Sequence, residues 1–105
     1  MELNIFWTKF AQDELKEIYK YFKRKAGIKV SKKIVKEIYN AALILEKQPE
    51  LGQIEELLKK RKEGFRYLVH KNYKLIYWIN FEKNQVEITD VFDTRQNPPI
   101  IKRTK

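Results

Sequence analysis

FRYLVHKNYKLIYWINFEKNQVEITDVF, residues 65–92, is the stretch on which the fold turns. Aromatic and β-branched residues, which suit a pleated and half-buried surface, dominate it. Three runs stand out: FRYLVH at 65–70, YKLIYWINF at 73–81 and VEITDVF at 86–92. Lys71-Asn72 separates the first two and Glu82 to Gln85 the last two, lengths that suit β-hairpins, so an antiparallel meander is expected. In the middle run Tyr73, Leu75, Tyr77, Ile79 and Phe81 share one face, and Lys74, Ile76, Trp78 and Asn80 share the other. The first face is apolar throughout and should meet helices. The second is apolar with a lysine at its edge, and needs some other cover.

Toward the N-terminus, Leu3, Ile5 and Trp7 alternate with Asn4 and Phe6, which predicts a short first strand. Thr8 offers a helix N-cap. Ala11, Leu15, Ile18 and Phe22 then recur at steps of four, three and four, an apolar stripe for a helix over about 9–25 that Gly27 stops. Val30, Ile34, Ile38, Ala41 and Leu45 repeat the pattern and predict a second helix over about 29–47. Pro49 and Gly52 in QPELGQ end it. A connection this short makes the two helices an antiparallel hairpin. Residues 53–64, QIEELLKKRKEG, read mostly as loop. The order is therefore β-α-α-β-β-β in one domain spanning 1–105. The fold class is α+β, with the helical hairpin packed on one face of a four-stranded, mainly antiparallel sheet.

Composition narrows the function. With 43% hydrophobic and 13% aromatic residues, 105 residues can bury one core. The absence of cysteine excludes disulfides and thiolate metal sites. MELNIFWTKF lacks the basic start and continuous apolar stretch of a signal peptide, and no run approaches the roughly 20 apolar residues of a membrane span. A cytoplasmic protein without membrane contact is expected. The net charge of +9 favours a polyanionic partner, either nucleic acid or an acidic protein. Residues 59–78 hold Lys59, Lys60, Arg61, Lys62, Arg66, Lys71 and Lys74 against Glu63 alone. The tail adds Arg95, Lys102, Arg103 and Lys105, whereas residues 1–58 are nearly balanced at 11 basic against 9 acidic. A localised positive face is expected.

Four strings in this order resemble the RelE/ParE superfamily of toxins: FWTKFAQDELKEIYKYF at 6–22, LEKQPELG at 45–52, FRYLVHKNYKLIYWI at 65–79 and VFDTRQNP at 91–98. Their order and spacing, spanning nearly the whole chain, carry the likeness. The resemblance implies the toxin of a type II toxin–antitoxin, or plasmid stabilisation, system, made beside an antitoxin that wraps it. It also implies two kinds of target. RelE-like members cut messenger RNA in the ribosomal A site; ParE-like members poison DNA gyrase and need no nuclease residues.

Metal-independent ribonuclease action requires a base for the 2′-hydroxyl proton, cations around the in-line phosphate and an acid for the leaving oxygen. The resemblance places Lys74 where such toxins carry arginine, Arg66 at a strand cation and Arg95 at the arginine following the last strand. Arg66 and Lys74 should both point away from the helices. The competing reading makes each a solvated edge charge. His70, the sole histidine, is a candidate for proton transfer, or else an exposed hairpin residue. Lys59, Lys60, Arg61, Lys62 and Lys71 are candidate nucleic-acid contacts, or else solvated loop charges. Ile76 and Trp78 are candidate antitoxin contacts, with core burial as the alternative. No cofactor or metal is expected. At the C-terminal end, where some nuclease relatives carry histidine or tyrosine, this chain has Asp93, Gln96 and Asn97 before Pro98-Pro99, with Asp90 and Asp93 the nearest substitutes. The leading expectation is a ribosome-dependent endoribonuclease; the alternatives are a gyrase inhibitor and a degenerate member that binds antitoxin alone.

Overall fold

Local signals set the ends of the helical hairpin. In the computed structural model, which describes residues 2–96, α1 runs over Lys9–Ala26 and α2 over Ile28–Leu43. Thr8 caps the first, its Oγ1 accepting from the Ala11 amide at 3.2 Å. Gly27 separates them at φ 94°, a left-handed conformation that few side chains tolerate, and its amide donates back to Phe22 and Lys23. The second helix tightens into a 3-10 turn at Ile44–Glu46, so it ends four residues short of the expected α-helical limit. Among the described residues no helix is long and apolar enough to cross a membrane.

The strands are β1 (Asn4–Trp7), β2 (Gln53–Ile54), β3 (Arg66–His70), β4 (Tyr73–Asn80) and β5 (Gln85–Asp93). They form one sheet in the order β1-β5-β4-β3-β2, and only β1 with β5 pairs parallel. The meander is as expected. The sheet has five strands rather than four, because Gln53–Ile54, in the segment read as loop, pairs antiparallel with Tyr67 and Arg66. Two residues are too short a run to show alternation. A register shift between Ile76 and Tyr77 adds one residue, Thr89, to β5.

The main core lies between helices and sheet, where Ile38 and Ala42 meet Leu75, Tyr77, Val86, Ile88 and Val91. The opposite face gains the cover its apolar character requires. After β2 the chain makes a 3-10 turn at Glu56–Leu58 and crosses that face, setting Leu58 and Phe65 against Ile76 and Phe92. This second cluster, flanked by Tyr67 and Trp78, holds the crossing segment in place.

Candidate functional site

Strand pairing decides where each candidate cation points, because directly paired residues share a face. Arg66 pairs with Tyr77, a member of the helix-side core. It therefore lies on the helix side of the sheet, contrary to expectation. There its guanidinium donates to the Gly52 carbonyl at 2.8 Å and sits 3.9 Å from the Glu50 carboxylate. Lys74 pairs with Val69 and does point away from the helices, as its phase predicts. The crossing segment encloses it: Nζ lies 2.6 Å from Glu55 Oε1 and 4.2 Å from the Tyr67 ring centre. Glu55 is buried, and its Oε1 has no aligned hydrogen bond, so the contact is an ion pair held by packing.

Arg95 follows β5 and turns back on Asp93, 2.6 Å from its Oδ2. The bidentate bond from Arg95 holds the Asp93 carboxyl below its ordinary value, against an opposing effect of burial. Asp93 pairs with Tyr73, which places Arg95 on the helix side at the end of the sheet away from Arg66. The rows of Asp93 and Arg66 are four residue steps apart on β4, from Tyr73 to Tyr77, about 13 Å along the strand. The three cations thus stand apart, Arg66 and Arg95 toward opposite ends of the helix side and Lys74 on the other face, each beside its own carboxylate.

One recess does gather several of the flagged residues. A cavity of about 290 Å³ between the hairpin and the end of the sheet is lined by Phe22, Ile34, Ile38, His70, Tyr73 and Arg95. His70 Nε2 is buried there without a hydrogen-bond partner, 3.9 Å from Glu37 Oε1. Lys71 donates to the same Glu37 oxygen at 2.9 Å, and this bond, more than any other contact, lowers the Glu37 carboxyl. Burial raises the Tyr73 hydroxyl, keeping it protonated and a poor acid at neutral pH. Asp90 is fully buried and Asp93 is bound to Arg95, so neither stands open as a base. Asn97, Pro98, Pro99, Lys102, Arg103 and Lys105 lie outside the described residues.

Ile76 is fully buried under Leu58 and Phe65, which removes it as a surface contact; Trp78 is half-buried. Lys59, Lys60 and Lys62 stand exposed on the crossing segment and Arg61 is half-buried, with Lys59 3.6 Å from Glu56. Among the described residues no cluster of three or more His, Cys, Asp or Glu is placed to hold a metal. Sequence reasoning did not find Glu55, Glu37 or Gly52, the partners that fix Lys74, Lys71 and Arg66. Glu55 carried a weak signal that it shares with Glu56, a carboxylate set between Ile54 and the Leu57-Leu58 pair ahead of the basic run Lys59 to Lys62.

The Asp93–Arg95 pair has a measurable consequence. A carboxyl whose folded value is lowered stabilises the fold above its ordinary value of 3.8, and that contribution disappears as pH falls through the lower folded value. Asp93→Asn should therefore shrink the loss of stability between roughly pH 5 and pH 2. Thermal unfolding followed by circular dichroism across that range is the check. Superimposable acid limbs would show that the pair contributes nothing.

A family model described as the ParE toxin of the type II toxin–antitoxin system parDE matches residues 5–98. Among solved structures, the chain is similar to the chromosomal ParDE toxin–antitoxin system of P. aeruginosa, with a TM-score of 0.72 and 17% identity over 88% of this chain and 96% of that one. It is similar to the toxin–antitoxin complex RelBE2 of Mycobacterium tuberculosis, with a TM-score of 0.64 and 20% identity over 89% and 99%. A free-state double arginine-to-alanine mutant of the E. coli toxin RelE gives a TM-score of 0.55 and 18% identity over 99% and 95%. No curated protein sequence matches. At these identities the structural likenesses establish a shared fold.

Proposed function

The chain belongs to the ParE toxin family of type II toxin–antitoxin systems, and on that premise we propose that it acts by inhibiting DNA gyrase rather than by cutting messenger RNA. One observation carries the reading. Arg66, Lys74 and Arg95, the cations a metal-independent nuclease of this fold would aim at one phosphate, stand apart, two toward opposite ends of the helix side and one on the other face, beside Glu50, Glu55 and Asp93. A phosphoryl transition state needs its cations within hydrogen-bond reach of the same few oxygens. An inhibitor that works by binding another protein has no such requirement.

A cognate antitoxin is the natural partner of such a toxin, and two of the similar solved structures are of toxin–antitoxin systems. The exposed Lys59, Lys60 and Lys62 fit an acidic partner of this kind. Purified toxin freed from its antitoxin should block supercoiling by gyrase at stoichiometric concentrations and leave messenger RNA on programmed ribosomes intact. Cleaved transcripts with unimpaired supercoiling would overturn the reading in favour of the endoribonuclease.

A further inference from the structure

Residues 20–36 contain no acid. Lys20, Lys23, Arg24 and Lys25 close α1, and Lys29, Lys32, Lys33 and Lys36 open α2. All are exposed, and every residue from Lys23 to Val30 is exposed, so both sides of the Gly27 turn present charge to solvent. The near balance of residues 1–58 conceals this. Their acids all lie before residue 18 or after residue 36, so the tip of the hairpin is as cationic as the crossing segment.

Solvation alone does not account for the arrangement. Cations in the last turn of α1 complement its dipole. Those opening α2 oppose it, because the start of a helix is already positive and favours acids, of which its first turn has none. Lys29 and Lys33, Lys32 and Lys36, and Lys20 and Arg24 are like-charge pairs one helical turn apart, a spacing that destabilises a helix. Relief is partial: Lys20 sits 3.5 Å from Glu17 in an exposed pair, Lys33 is attracted to the Glu37 carboxylate one turn on, and Lys25 lies 5.9 Å from the Tyr21 ring centre. A hairpin that had only to fold would place acids here.

We propose that this tip docks on the phosphate backbone of duplex DNA. Lys29 to Lys36 spans about 10 Å of helix, a length over which a duplex presents about six phosphates. Two packed helices hold the charges rigidly, which matches a duplex better than a flexible strand. Single-strand recognition would need open aromatic platforms. Tyr21 is the exposed aromatic at the tip, and it is engaged edge-on by Phe22 at 5.0 Å. Residues 20–36 also lack Asn and Gln, the side chains that read adenine in the major groove, and phosphate contacts position a protein without carrying sequence information. The choice of DNA over duplex RNA rests on the gyrase reading above.

The test uses antitoxin-free toxin and a fluorescent duplex of about 20 base pairs, with anisotropy recorded from 50 to 200 mM salt. Reversing Lys29, Lys32 and Lys33 together to Glu should weaken binding at least tenfold. It should also flatten the dependence of log K on log salt by about three, close to one per lost phosphate contact. Reversing Lys9, Lys47 and Lys83 makes the same change in net charge elsewhere and should cost far less. Reversing Lys29 and Lys33 together keeps that pair like-charged and sets position 33 against Glu37, so the fold is checked with neutral Lys29→Gln/Lys33→Gln. This variant removes the Lys29–Lys33 repulsion, should melt within a few degrees of wild type and gives the same reading with a slope change of about two. Equal losses in tip and control variants, an unchanged slope, or tighter binding of a single-stranded RNA of equal length would each overturn the proposal. Gyrase is absent from this assay. Toxin that binds duplex through the tip yet spares supercoiling sinks the target reading alone, and toxin that blocks supercoiling without binding DNA sinks this one.

Discussion

Gly52→Ala should cost about 3–5 kcal/mol, a large part of the roughly 5–15 kcal/mol that holds a domain of this size. A Cβ at Gly52 would sit 2.5 Å from the Tyr67 carbonyl oxygen and 2.5 Å from the Tyr77 hydroxyl oxygen. Neither can withdraw. The carbonyl belongs to β3, and the hydroxyl accepts from the Gly52 amide at 2.8 Å while donating to the Pro49 carbonyl at 2.8 Å. Arg66 adds a third tie through the Gly52 carbonyl. Overpacking costs about 1–3 kcal/mol, and a displaced buried hydroxyl left unsatisfied costs about 1–3 kcal/mol more. Tyr77→Phe removes the hydroxyl without the clash and should therefore cost about 1–3 kcal/mol. Gly64→Ala meets open space and should cost only its left-handed strain, about 1 kcal/mol. Denaturant unfolding of the three variants gives the order. A Gly52→Ala variant within about 1 kcal/mol of wild type would show that the turn is not clamped as described.

The turn at Gly52 also shows what the sequence could and could not convey. QPELGQ announces a stop to the second helix, and the alternation in YKLIYWINF announces a strand with two apolar faces. Both depend on neighbours a few residues away. The pairing of Gly52 with Tyr77 depends on residues 25 apart, and no periodicity reports it. Lys74 with Glu55 and Lys71 with Glu37 are hidden for the same reason. Arg66 differs, because its face could have been counted. A two-residue turn at Lys71-Asn72 sets His70 opposite Tyr73, and stepping back along both strands sets Arg66 opposite Tyr77. Counted through the turn, Arg66 falls on the helix side, opposite to the face expected for it. The charge at the hairpin tip was fully present in the sequence, and averaging over 58 residues removed it.

Lys74→Met should destabilise the protein by about 3–5 kcal/mol even though a lysine on a strand is ordinarily replaceable. Its side chain is 19% exposed and that of its partner Glu55 5%, so the substitution strands a carboxylate in the crossing segment. The lost contact with the Tyr67 ring adds about 0.5–2 kcal/mol. Changing both members to Lys74→Met/Glu55→Gln removes the stranded charge and keeps an oxygen to accept from the Leu57 amide. That double variant should lie within about 2 kcal/mol of wild type, since a buried pair gains little over a neutral replacement. Near-equal stability of the single variant and wild type would mean that Glu55 is solvated and the segment does not close over the sheet. The pair of variants also resolves what loss of toxicity means. The single variant can lose toxicity simply by unfolding, whereas the double variant tests Lys74 in a folded protein. Full toxicity in the double variant makes Lys74 a structural cation, in keeping with gyrase inhibition; a stable and harmless double variant returns it to the functional surface.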